Sequence, residues 1–162
     1  MVTTATSAWE VAAAVPDPEL PMVTLADLGV LAGVEQDGDR VTAWITPTYS
    51  GCPAVAEMAS DVDARLRAAG FTEVAVRLRL DPPWSTDRIS EDGRRKLAEA
   101  GIAPPHPGGS GLLRLGPTRR SVACPQCGST DTEELSRFGS TACKALWRCR
   151  ACREPFDRIK EI

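Results

Sequence analysis

The sequence predicts an α+β fold: a small mixed sheet covered by helices, followed by a C-terminal zinc-ribbon-like four-cysteine module. Three observations predict it. Apolar periodicity along residues 1–103 switches from helical to alternating and back; a stretch rich in proline, glycine and serine breaks all periodicity over 104–120; and two CxxC pairs follow it. The division expected is an α+β domain over 1–103, a linker over 104–120 and a four-cysteine domain over 121–162.

Taken in order, Ser7 with Glu10 fits a capping box, so a short helix runs to the Pro16–Pro18 breaker, and "PDPELP" is a rigid loop. "GVLAGVE" and "RVTAWITP" alternate about Asp37-Gly38 and read as a hairpin. After "TYSGC", Pro53 suits a first helical turn. Val55, Met58, Ala59, Val62, Leu66 and Ala69 then form one apolar stripe that ends at Gly70. "EVAVRLRL" puts Val74, Val76, Leu78 and Leu80 on one face of a strand and Glu73, Arg77 and Arg79 on a solvated one. Ser90 caps a last helix that stops at Gly101. The order is helix, strand, strand, helix, strand, helix, which suits a two-layer sandwich.

Composition limits the function. The 162 residues are 43% hydrophobic and 25% charged, with a net charge of −3, which argues against a general nucleic-acid binder. The charge is uneven: residues 1–113 carry 9 basic against 16 acidic side chains, and residues 114–162 carry 10 against 6. The halves suit attraction to each other or to an outside partner, although domains this small also vary by chance. The start of the chain has neither a basic lead nor a long apolar run, so the expected location is the cytoplasm, with no membrane span. Six cysteines in a reducing compartment read as metal ligands or reactive thiols rather than as disulfides.

"CPQCG" and "CRAC" supply Cys124, Cys127, Cys149 and Cys152, with 21 residues between the pairs. Each knuckle turns two sulfurs toward one ion, and a hairpin between the knuckles brings them together. A module of about 40 residues buries too little apolar surface to hold its shape unaided, so the metal supplies folding energy. Zinc is the first expectation; mononuclear iron and an iron–sulfur cluster are the alternatives, and a cycling dithiol is a further one. Arg119, Arg120, Lys144, Arg148, Arg150 and Arg153 flank the site and either touch nucleic acid or form a solvated ribbon surface.

Two thiols remain. Cys52 precedes Pro53 at the start of the main helix, where the helix dipole would favour a thiolate; it is either a nucleophile or metal ligand, or an apolar filler. Asp17 and Glu19 could share a proton or a metal with it, or belong to an ordinary Asp-Pro turn. Cys143 has no partner at knuckle spacing and is either packed inward or a labile accessory thiol. His106, the only histidine, lies in the expected linker, which offers nothing to hold it as a ligand.

"DPELPMVTLADLGVL", "TPTYSGCP", "DPPWSTDRISEDGRRKL", "GIAPP", "CPQCGS" and "FGSTACKALWRCRACREPFD" together resemble the PaaD family, accessory subunits of the phenylacetyl-CoA ring-epoxidase system. The first domain also resembles SufT-like and cytosolic iron–sulfur assembly proteins through its DPE, DLG and Cys-Pro motifs. The resemblance implies a maturation subunit in phenylacetate catabolism that helps assemble iron or iron–sulfur centres and is not catalytic itself. Its implied partners are the other epoxidase subunits or the iron–sulfur reductase component. By motif, Asp17 and Glu19 are the family's acidic pair, Cys52 its thiol, and Cys124, Cys127, Cys149 and Cys152 its metal set. The chain departs from the pattern at Arg88, where "TTDW" would place an aromatic, and in "TPTYSGCP", which differs from the "TTPGCP" of the assembly relatives. A zinc-ribbon nucleic-acid or transcription adaptor is the alternative function. The chain itself has no Glu-x-x-His pair with which to build a di-iron carboxylate site.

Overall fold

A computed structural model describes residues 7–49, 51–107 and 121–161. The chain divides into two compact units, one comprising residues 1–84 with 88–90, the other 85–87 with 91–162.

In the first unit α1 spans Ala8–Ala13 and begins as the sequence predicts: the Ser7 hydroxyl accepts from Glu10 N at 3.2 Å, and Glu10 Oε2 accepts from Ser7 N at 2.9 Å. Strands β1 (Leu31–Asp37) and β2 (Arg40–Ile45) form the antiparallel hairpin, turning at Gly38 with φ 59°. Helix α2 (Val55–Ala68) then crosses over to β3 (Glu73–Leu78), which lies parallel to β2. The sheet order is β1-β2-β3. Val41, Ala43 and Ile45 of β2 are fully buried, as are Val62 and Leu66 of α2, so the helical stripe and the sheet's inner face close one core. On the other face the guanidinium of Arg79 lies 4.8 Å, and that of Arg77 6.0 Å, from the ring centroid of Trp44. The polar face of β3 is therefore spent in part on an aromatic neighbour rather than on water alone. The apolar face of β3 is covered only at its start: Leu78 and Leu80 are 51% and 58% exposed.

The segment between α1 and β1 is folded as firmly as the regular elements. Its Leu20, Val23, Leu25, Leu28 and Val30 enter the core, and Thr24 and Asp27 each accept the other's backbone N–H at 3.0 Å. Trp84 returns to this segment and donates from Nε1 to Leu28 O at 2.8 Å.

The second unit holds α3 (Glu91–Glu99), β4 (Ile102–Ala103), β5 (Thr132–Ser136), β6 (Lys144–Cys149) and β7 (Pro155–Ile159). Its sheet runs β4-β7-β6-β5, antiparallel except for the β4–β7 pair. Here the structure departs from the expected boundary. Helix α3 belongs to the cysteine-bearing unit, and Ile102–Ala103 adds a parallel strand to its sheet. Two residues carry no readable period, and their partner Asp157–Arg158 lies more than fifty residues away, so local patterning misses the pairing. The head of the expected linker is likewise tied down. Pro105 is buried, His106 Nε2 is 3.0 Å from Ser121 O, and His106 N donates to Glu161 Oε1. His106 is thus held by contacts that the sequence does not announce.

Gly29, in the "DLG" motif, has φ 67°, and a Cβ there would lie 2.5 Å from Arg88 Cβ and 2.6 Å from its carbonyl oxygen. The left-handed backbone alone costs a larger residue about 1–2 kcal/mol. Gly29→Ala is therefore expected to lose at least about 2 kcal/mol of stability in chemical denaturation, with the backbone clash adding to the loss.

Candidate metal centre

The site in the second unit is built from two turns of the same kind. In the first, Gly128 N donates to Cys124 O at 2.9 Å, Cys124 N to Ser129 O at 2.9 Å, and Gln126 N to Cys124 Sγ at 3.4 Å. In the second, Cys149 N donates to Glu154 O at 3.0 Å. Each turn closes through a left-handed residue four places after its first cysteine: Gly128 with φ 75° and Arg153 with φ 66°. Strands β5 and β6, joined as an antiparallel pair with Thr132 opposite Cys149, bring the turns together.

The four sulfurs all lie within 4.8 Å of one another. Cys124 Sγ is 3.7 Å from Cys152 Sγ, and Cys127 Sγ is 3.6 Å from Cys149 Sγ. A zinc–sulfur bond of about 2.3 Å puts the corners of a regular tetrahedron about 3.8 Å apart, so the set fits a single tetrahedral ion. No disulfide competes for these thiols. Their acidities diverge. The Cys149 thiol is drawn down to about 7, first by the backbone N–H of Cys152, against its burial, and further by the Cys127 thiol and the Ala151 N–H. The Cys152 thiol is pushed up to about 12: the Glu154 N–H lowers it, but burial and the thiols of Cys149, Cys127 and Cys124 outweigh that. Ionisation of Cys149 thus opposes that of Cys152, an opposition that a bound cation would relieve. The neighbouring core is small, consisting of Ala103, Val122, Cys124, Cys149 and Phe156, with Trp147 and Cys152 against it.

The remaining candidates are not among the four gathered ligands. Cys143 sits in the turn before β6, half-buried, with Sγ 3.1 Å from Thr141 Oγ1, and is not one of the four gathered sulfurs. Among the described residues, Cys52, Asp17 and Glu19 are not gathered into a second ligand cluster. Cys52 is half-buried in the loop between β2 and α2, and its position differs from the expected one. Helix α2 is capped at Ala54 without a side-chain bond, so Cys52 stands two residues outside the helix. Its N–H donates to Tyr49 O and its carbonyl accepts from Val55 N. The dipole that the sequence reading assigns to Cys52 belongs to N–H groups further along the chain. Asp17 is buried, and its Oδ1 accepts from Glu19 N and Leu20 N, both at 2.8 Å, so it shapes the loop that carries the exposed Glu19.

Three of the flanking basic residues are already engaged by carboxylates. Lys144 is only 6% exposed and its Nζ lies 3.8 Å from Asp157. Arg148 and Arg150 both hold Glu133, whose carboxyl their hydrogen bonds, that of Arg150 first, keep below its usual range. Arg119 and Arg120 lie outside the described residues. No helix of the described residues is long and apolar enough to cross a membrane.

The class of protein follows from two comparisons that each cover one part of the chain. Residues 9–81 match the iron-sulfur cluster assembly protein family, and residues 111–160 match the PaaD zinc beta ribbon domain. An assembly-type α+β domain is thus joined to a four-cysteine ribbon. The chain is 47% identical over 154 residues to an Escherichia coli (strain K12) protein named as one of the subunits of 1,2-phenylacetyl-CoA epoxidase, covering 95% of this chain and 91% of that one. The chain belongs to the PaaD family. It is also 34% identical over 83 residues to an Fe-S protein maturation auxiliary factor of Porphyromonas gingivalis (strain ATCC BAA-308 / W83), covering 50% of this chain and 78% of that one. The crystal structure of a domain of unknown function from Bacillus anthracis aligns with a TM-score of 0.51 at 31% identity, over 56% of this chain and 87% of that one.

Two outcomes test the site. Chelation is expected to abolish amide-exchange protection in β5–β7 while leaving that of β1–β3, and reloading should slow as the pH falls below the ordinary thiol range, where protons compete with the metal for the four sulfurs. Arg153→Gly is expected to raise the stability of the metal-loaded protein by about 1 kcal/mol, read by denaturant titration, because it removes the cost of a side chain at positive φ.

Proposed function

We propose that this chain is an accessory protein of metal-centre assembly that serves a phenylacetyl-CoA epoxidase, helping its iron or iron–sulfur centres to form. In this reading the two sulfur sites do different work. The four cysteines of the second unit hold zinc as a closed, structural ion. Cys52, with the loop of Asp17 and Glu19, is the transfer site of the first unit, and the iron or cluster it handles is cargo. Cys52 and the four CxxC cysteines fall in different compact units.

The observation that carries the reading is the placement of Cys52. It lies in the loop that leaves the carboxyl end of β2, a strand paired in parallel with β3, and within the part of the chain that matches the assembly family. The carboxyl ends of parallel strands are where loops of α/β sheets present functional groups. One thiolate supplies a single ligand, whereas a stable cluster takes four, so a cluster held by Cys52 draws thiolate ligands from donor or recipient. Such binding suits transfer better than storage. The name of the Escherichia coli relative supports the epoxidase as recipient, and that of the Porphyromonas gingivalis relative supports maturation as the task. Zinc in the ribbon is supported by the sulfur spacing and the ribbon family; bound mononuclear iron or a cluster would colour the protein, so elemental analysis with a visible spectrum separates the three.

Cys52→Ser is expected to leave the fold and the ribbon metal unchanged while lowering, several-fold, the iron content and turnover of epoxidase components co-produced with it. Client iron and turnover equal to those obtained with the unaltered chain would overturn the assignment.

A further inference from the structure

The turn between β5 and β6, residues 137–143, combines a fixed backbone with an unburied aromatic. Phe138 N donates to Ser136 Oγ at 3.1 Å, Gly139 N to Lys144 O at 2.9 Å, and Lys144 N to Thr141 O at 3.1 Å. From the outside, Ser140 Oγ donates to Asp157 Oδ2, the buried Lys144 reaches Ser140 Oγ at 3.0 Å, and Lys160 Nζ donates to Ala142 O at 2.9 Å. At Gly139 even a methyl group would press on Asp157 and Lys144 at 3.1 Å. Yet the ring that this frame carries is 79% exposed, the most exposed large apolar side chain among the described residues. The ammonium of Lys160 lies 5.0 Å from its centroid.

Local charge narrows what could cover that ring. Arg148 and Arg150 are neutralised by Glu133 and Asp131 together, Arg158 by Glu161 and Lys144 by Asp157. The two cations beside Phe138, Lys160 and the exposed Arg137, have no carboxylate partner among the described residues. The patch is therefore an apolar knob flanked by uncompensated positive charge. A single ring is not a stacking track for successive bases, and the other cations of β6 that could follow a phosphate backbone are already engaged. The complementary surface is a protein one, an apolar socket rimmed by carboxylates.

We propose that this turn is a docking element, with Phe138 as its anchor, for a protein partner presenting such a socket. Because the frame is already ordered, binding loses little conformational freedom. The proposal deepens the reading above and rests on it for the choice of partner, a component of the epoxidase; it does not depend on what Cys52 does.

The test uses the metal-loaded full chain, titrated calorimetrically against each purified component of the 1,2-phenylacetyl-CoA epoxidase from the same organism. One component is expected to bind. Phe138→Ala should weaken that binding at least tenfold, and Arg137→Glu should weaken it and flatten its dependence on salt, while both variants keep the parent's metal content and melting temperature. Cys52→Ser should bind like the parent, so that a failure of the transfer reading and a failure of this one are told apart. The proposal is overturned if Phe138→Ala binds within twofold of the parent, if no component binds, or if the residue instead proves necessary for self-association or for retention of single-stranded nucleic acid.

Discussion

Four thiols brought within 4.8 Å of one another are the constraint on which the C-terminal unit depends. The small core beside them is itself partly made of ligands: Cys124 and Cys149 are two of its five buried residues. Apolar burial of that size does not offset the entropy of ordering some forty residues. A cation binding four thiolates supplies what is missing, and only the folded hairpin gathers the four. Metal binding and folding of the ribbon are then a single equilibrium.

The first unit needs no such device. Its helices and sheet close a core of ordinary aliphatic side chains, and the irregular segment before β1 adds Leu20, Val23, Leu25, Leu28 and Val30 to that core. Cys52 sits in a turn whose backbone groups are already bonded, outside the helix and half-accessible. Cys149, by contrast, is fully buried at the centre of the ribbon.

The C-terminal unit also extends further back along the chain than its cysteines suggest. Ile102–Ala103 extends its sheet, α3 falls within it, and His106 is held against Ser121 and Glu161. The backbone N–H and C=O groups of β7 would otherwise face water along a sheet edge, and a two-residue strand is enough to occupy part of it. Charge follows the same economy: most of the ribbon's cations are consumed by its own carboxylates, which leaves a few exceptions to define a surface.

By itself the sequence determined what depends on short spacing. The capping box at Ser7 and Glu10, the hairpin turn at Gly38, the stripe of Met58, Val62 and Leu66, and the two CxxC knuckles are local patterns, because caps, turns, helical faces and chelate bites are set by residues within a few positions of one another. The tertiary structure alone decided what depends on distant segments meeting. It made β4 a strand, withdrew Lys144 from the surface and Arg148 and Arg150 from general availability, stacked Arg79 on Trp44, turned Asp17 into a loop support and left Leu78 and Phe138 uncovered. Burial and pairing of a side chain are properties of whichever segment arrives beside it, and no local period encodes that arrival.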